Sequence, residues 1–344
     1  MNRRIALALA GAAFALTSLA ATAAFAGDGD SGALTCTAAS PCILRVRTVA
    51  PAASPWGKLL TLLANDIAME SKQRIQLTVY WQSKSEPSAV RQCLSGKVGG
   101  IAVSDGAMAS AVPELTATEL PYIFANYKEA DKALTAAAPL LREIMAKAGF
   151  IYALRGENGF RHFATKDRFI LAPADMAGRA MRSQPAKHHL TMYKALGATP
   201  NPIQVAEVPS SLGNNTVSGY DNTLLFADLA GWSSEIKYVT LSGHIYQGAV
   251  VAWCKPWYDR LPADLQAVLA TPRPKLEEIG LSLVRIFNDK KMPEKYAADG
   301  IQIKELTAAQ KAAFKEATKP VEVEFRGETS ADGKKLLDLL QANR

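Results

Sequence analysis

The chain is short of the residues that carry covalent and metal chemistry. Its 344 residues include only 4 cysteines and 4 histidines. Four cysteines in so long a chain exclude a disulfide scaffold, and no CxxC or Cys/His metal spacing occurs. The GxSxG, HExxH and GxxxxGK[ST] signatures are absent, so nothing argues for an enzyme and no cofactor is expected. After the N-terminus no apolar run reaches the roughly 20 residues of a spanning helix. Lysines and arginines are scattered, not blocked, so a nucleic-acid footprint is not expected. Disorder is excluded by composition: 49% of residues are apolar and 21% charged, enough apolar material to offset chain entropy. Two domains are the natural prior at this length.

Residues 1–26 are not read as fold. Arg3 and Arg4 form a basic start, Ile5 to Leu19 an apolar run, and Ala24-Phe25-Ala26 a small-x-small cleavage pattern. This is a secretory signal peptide, with an N-terminal membrane anchor as the alternative. Its removal takes away two arginines and lowers the net charge from +7 to +5. No cysteine stands at the cleavage point, which argues against a lipoprotein. The mature protein is expected in the periplasm, not inserted in a membrane. Export permits disulfides. Cys36 and Cys42 are close enough to pair, a small loop contributing roughly 2–2.5 kcal/mol in the chain-entropy model. Cys93 and Cys254 either pair or stay as buried thiols.

Residues 27–42 read as a loose lead-in. Ile43–Val49 reads as a strand, and Ser54-Pro55 as a helix start. Ile75, Leu77, Val79 and Trp81 alternate as a strand. Helices are expected over 86–94 and 128–147, and strands over 98–103 and 150–154. The order repeats after residue 157, with strands at 161–165, 179–182, 236–241 and 248–254, a helix at 187–196, and a mostly helical part after Pro262. β-α-β-α order implies an α/β fold with a largely parallel sheet. No Pro/Ser linker divides the halves, so they are expected to be two domains joined by several crossings, a hinge geometry around a cleft. Domain I takes residues 43–156 and about 248–286, domain II 157–247 and about 287–315, and 316–344 is a C-terminal helical segment. His188 and His189 are adjacent, about 100° apart on a helix. They are expected to be solvated, and no metal site is expected. His244 is expected to be a satisfied structural histidine.

Residues 173–182, PADMAGRAMR, resemble the P-x-D-[LM]-x-G-x-x-x-R strand of the DctP-like solute-binding proteins of TRAP transporters. Other segments follow in register: Leu120-Pro121-Tyr122-Ile123-Phe124, Gly159-Phe160-Arg161, Ala195 to Pro200, Glu207-Val208 with Leu212 and Val217-Ser218-Gly219, and Leu261-Pro262. The likeness spans roughly residues 43–310. Pro209, Asn215, Ser218 and Gly99 depart from the family pattern and leave the ligand open.

The resemblance implies a two-domain periplasmic binding protein fold with a hinged interdomain cleft, capture of a small organic acid in that closing cleft and delivery to TRAP permease membrane subunits, with no chemistry on the ligand. The alternatives are a binding component of an ABC or tricarboxylate-type system, a ligand-sensing partner of a receptor, or a periplasmic enzyme. A carboxylate leaving water needs a buried partner, and arginine offers a fixed fork of two N–H groups. The resemblance assigns that role to Arg182, at the end of a strand. It adds Arg161 as a second contact, with a structural ion pair as the alternative, and Asn222 as a cleft amide, with capping of the helix that starts near Thr223 as the alternative. Phe226 and Trp56 are candidate aromatic walls, with core packing as the alternative for each, and Glu86 is a candidate on the facing lobe.

Overall fold

The computed structural model describes residues 32–344; the expected signal peptide lies outside them. Where the lead-in is described it is tied down rather than loose. Cys36 and Cys42 form a disulfide, Leu34 N–H donates to the Arg260 carbonyl at 2.7 Å, and Arg74 Nε to the Cys36 carbonyl at 3.0 Å.

Nine strands form one sheet: β1 (Cys42–Thr48), β2 (Ile75–Tyr80), β3 (Gly100–Ser104), β4 (Phe150–Thr165), β5 (Ala180–Ser183), β6 (Thr199–Pro202), β7 (Gly219–Asn222), β8 (Tyr238–Cys254) and β9 (Gln302–Glu305). Their order is β2-β1-β3-β8-β4-β7-β5-β6, with β9 on the far end of β8. The helices that position the site are α1 (Pro55–Glu70), α2 (Glu86–Leu94), α3 (Asp105–Met108), α4 (Tyr127–Lys147) and α5 (Lys187–Ala195). Helix α1 begins as its sequence directs. Ser54 Oγ accepts from Gly57 N–H at 3.1 Å, Pro55 occupies the first turn, and Leu59, Leu60, Leu63 and Ile67 are buried.

Two sequence expectations are corrected. The sheet is mixed, not largely parallel: β8 runs antiparallel to both β3 and β4, and β7 antiparallel to β4. The segments 150–154 and 161–165 are one strand, as are 236–241 and 248–254, apart from end residues. The stretches between them carry Glu157, Ser242, His244 and Gln247, all buried. Inward polar side chains break the apolar alternation that a half-buried strand displays.

β4 and β8 therefore run through the molecule and connect two wings. β1, β2 and β3 lie at one end, β5, β6, β7 and β9 at the other. Where the wings meet, the ladder slips between Glu157 and Gly159. Gly159 has φ +99°, and a Cβ there would lie 2.7 Å from Asn288 Nδ2, so only glycine suits this bulge. A third connection is helical. Helix Pro274–Ile286 packs on α1 and β4, passes through a π-turn at Phe287–Lys291, and continues as Met292–Ala298 against β9. The final helix, Ala331–Asn343, returns to pack on α4. Cys93 and Cys254 are bonded, joining the end of α2 to the end of β8. Among the described residues no helix is long and apolar enough to cross a membrane.

Candidate functional site

Between the wings lies a polar pocket at the carboxyl ends of β3, β5 and β7, where α/β proteins place ligands. One wing contributes Glu86 from α2 and Ser104 from β3. The other contributes Arg182 and Gln184 from β5 and its extension, Asn222 from β7, and Phe226 and Trp232. The connecting strands supply Asn158, Arg161 and Gln247. The free space is about 30 Å³, room for about two waters. A ligand of several carbons enters only if the walls part.

Arg182 is buried. Its Nε donates to the Ile203 carbonyl at 3.0 Å, and its guanidinium carbon sits 4.7 Å from the Trp232 ring centroid. Among the described residues no carboxylate lies within ion-pair distance of it. Burial, followed by repulsion from Arg161, lowers its pKa to about 10.

Arg161 is a different kind of arginine. Its Nε meets Asp221 Oδ2 at 2.5 Å, Nη2 donates to the Asp221 carbonyl at 2.5 Å, and Nη1 to Gln184 Oε1 at 3.1 Å. Asp221 also accepts from the Tyr193 hydroxyl at 2.9 Å. Burial pushes the Asp221 carboxyl up, but Arg161 and the facing histidines outweigh it and hold it well below the carboxylate range. Arg161 thus lines the pocket with its charge already matched.

Asn222 Oδ1 accepts from Thr223 N–H at 2.8 Å and more weakly from Arg161 at 3.4 Å. Thr223, not Asn222, caps the helix Leu224–Leu229. Glu86 faces Arg182 from the other wing, its two oxygens taking Ser104 N–H at 2.8 Å and Ser104 Oγ at 2.9 Å. Burial raises its pKa against those two bonds. Phe226 lines the pocket edge-on to Trp232.

Trp56 is not brought to this pocket. Its indole donates to the Glu157 carbonyl at 3.1 Å and packs over Gly156, where a Cβ would lie 2.4 Å from the ring. It lines a smaller adjacent cavity with Phe226 and Asn158. Sequence reasoning missed Gln184, Gln247, Asn158, Ser104 and Trp232. Gln184, two positions beyond Arg182 on an extended strand, shares its face and was legible; Trp232 carried no local signal.

The histidine pair is also corrected. His188 and His189 are buried, not solvated; their helix is covered by Lys319–Glu328. Both Nε2 atoms reach Glu119 Oε2, at 3.2 and 3.1 Å. His244 is buried between Ser242 Oγ at 2.7 Å and Asp221 Oδ2 at 3.3 Å, stacked on Phe163.

The comparisons agree with one another. The model of the bacterial extracellular solute-binding proteins, family 7 (DctP), matches residues 46–328. A solute-binding protein of Verminephrobacter eiseniae is 27% identical over 296 residues, covering 84% of this chain and 86% of that protein. A TRAP periplasmic solute-binding protein of a Polaromonas species, solved with D-erythronate, superposes with a TM-score of 0.81 at 25% identity, covering 88% of this chain and 99% of that one. One from Sulfurospirillum deleyianum, solved with succinate, gives 0.80 at 24%, with the same coverage. The two-winged α/β architecture is the periplasmic binding protein fold, and this chain belongs to the bacterial extracellular solute-binding proteins, family 7.

Proposed function

We propose that the protein, exported by means of residues 1–26, captures a small organic acid in the pocket between its halves. It then delivers the acid to a TRAP-type permease without chemistry on the ligand. The expected domains, 43–156 with about 248–286 and 157–247 with about 287–315, close on the acid, and Arg182 grips its carboxylate. The observation that carries this reading is a buried guanidinium with no carboxylate within ion-pair distance, in a pocket that also presents the amides of Asn158, Gln184, Asn222 and Gln247 and the Ser104 hydroxyl, with Glu86 on the facing wall. Burying an unpaired charge costs several kcal/mol, a cost that an incoming carboxylate removes.

The charge balance narrows the acid. Arg161 is matched by Asp221, and the Glu86 carboxyl, whose pKa burial raises, faces Arg182 from beyond ion-pair distance. One carboxylate is satisfied, whereas a second would meet Glu86. The favoured ligand has a single carboxylate and hydroxyls that donate to Glu86 and exchange bonds with Gln184, Gln247 and Asn158. D-Erythronate, bound by the Polaromonas relative, has this form. Contacts from both halves exist only when closed, so binding shifts the population toward closure. Calorimetry with erythronate and succinate, alongside small-angle scattering, tests the reading. Erythronate is expected to bind more tightly and to compact the protein. No binding by any acid in a broad panel, or binding at an unchanged radius, would overturn it.

A further inference from the structure

We propose that Glu119, His188 and His189 form a site for a divalent late first-row cation, Zn2+ foremost, set across the seam between the two halves. Glu119 ends the 3-10 helix Pro113–Glu119, which packs on α3, α4 and β8. The histidines stand on α5, which packs on β5 and β6. One carboxylate oxygen and one nitrogen from each ring lie within 4.8 Å of one another. The two oxygen-to-nitrogen separations are 3.2 and 3.1 Å. Donors around a tetrahedral zinc, at bonds near 2.0–2.1 Å, are about 3.3 Å apart. Two imidazoles and one carboxylate are a donor set for such cations.

Two further features separate an ion site from a plain hydrogen-bonded cluster. First, Glu119 is completely buried, and among the described residues no lysine or arginine lies within ion-pair distance of it. Besides the two imidazoles, its partner is the Gly106 N–H at 2.8 Å. A buried carboxylate without a cation is costly. Second, the Nδ1 atoms of both histidines lack hydrogen-bond partners, and that of His189 lies 3.8 Å from Asp221 Oδ2. If His189 Nε2 carried the proton toward Glu119, the bare Nδ1 lone pair would face a carboxylate. With a metal on Nε2, Nδ1 bears the proton and turns it toward Asp221, the usual carboxylate–histidine–metal relay. An entry path exists, because His188 borders a groove of about 330 Å³ shared with Pro113, Thr116 and Phe325.

The site touches the acid pocket. A Cβ on Gly106 would lie 2.5 Å from Glu119 Oε2 and 2.7 Å from Gln184 Nε2, so a single glycine backbone separates the two. An ion holding both halves favours the closed form, and by linkage raises affinity for any ligand that needs closure.

The test uses untagged, chelator-stripped full-length protein titrated with Co2+. One equivalent is expected to bind at micromolar concentration or below, with the intense visible absorption of tetrahedral Co2+, and Zn2+ is expected to displace it and raise Tm. Glu119→Gln and His189→Gln should each weaken binding at least tenfold. Should a variant not fold, the spectrum of the native protein decides. An absent or octahedral Co2+ spectrum, or equal binding by folded variants, overturns the proposal. Metal binding is read directly, so the result is independent of whether an organic acid binds.

Discussion

Arg182 and Trp232 are stacked, 50 residues apart in the chain, with the guanidinium carbon 4.7 Å from the ring centroid. The ring supports the charge on one face, and the Ile203 carbonyl takes one N–H. Neither neutralises it. A cation–π contact contributes only about 0.5–2 kcal/mol, less than the several kcal/mol of desolvating an ion. Arg182 is therefore held in a position that weakens the empty fold and suits an anion.

Arg182 substitutions should pull stability and binding apart. Arg182→Met is expected to abolish measurable acid binding while raising the urea midpoint of the ligand-free protein, because an apolar side chain replaces an unmatched buried charge. Arg182→Lys should recover little affinity, since a point charge lacks the planar fork. Calorimetry and urea unfolding on the same samples check this. A Met variant that is less stable and still binds would remove Arg182 from the proposed role.

Arg161 predicts the reverse pattern. Asp221→Asn leaves its guanidinium buried without a counter-ion, and about 3–5 kcal/mol of stability should be lost. In whatever fraction folds, two unmatched arginines then flank the pocket. Preference should move toward dianions, so that succinate gains on erythronate in calorimetry. An unchanged ratio would mean that Asp221 does not set the charge the ligand meets.

Local signals located much of this molecule. Ser54-Pro55 marks the start of α1, alternation over 75–79 marks β2, and the run ending at Arg182 marks the strand that carries it to the pocket. The missing parts depend on partners distant in sequence. Glu157 is tolerated inside β4 because Arg285 meets both its oxygens, at 2.7 and 2.9 Å, from 128 residues away. Without that partner in view, 155–160 reads as a loop. An aromatic residue near a helix start shows no local sign of which surface it packs on, so Trp56 reads equally as cleft wall or core; its anchor is the Glu157 carbonyl. Adjacent histidines leave a helix about 100° apart, so local periodicity gives no reason to bury both. Here both rings converge on Glu119 at the end of the 113–119 helix, and the helix Lys319–Glu328 packs on theirs, so both are buried.

The two disulfides should differ in weight. Cys36–Cys42 closes 6 residues and Cys93–Cys254 closes 161. In the chain-entropy model these contribute about 2 and about 5 kcal/mol. The Cys93→Ala/Cys254→Ala double variant should lose more stability in urea than Cys36→Ala/Cys42→Ala. Equal losses would show that strain or residual unfolded structure, not loop closure, governs them.

Asp105 gives a pH dependence of unusual sign. Its side chain is buried, accepts from the Thr118 hydroxyl at 2.9 Å, and sits where a Cβ on Gly248 would be 2.2 Å away. Burial, and then the nearby Glu119 charge, raise its pKa from 3.8 to about 7. Between those values the folded state keeps a proton that the unfolded chain has released. Stability from this group is fully present below about pH 4 and falls as pH rises to about 7. His162, lowered by burial from 6.5 to about 3, acts oppositely: the unfolded imidazole binds the extra proton, so stability rises with pH over that window. Asp105→Asn removes the first effect and keeps the second. Relative to the native protein, the variant should gain roughly 3–5 kcal/mol between pH 4 and pH 8, read as urea midpoints across that range. Parallel profiles for the two proteins would mean that Asp105 ionises in the fold as it does in water, and that its contact with Thr118, not its burial, sets its charge.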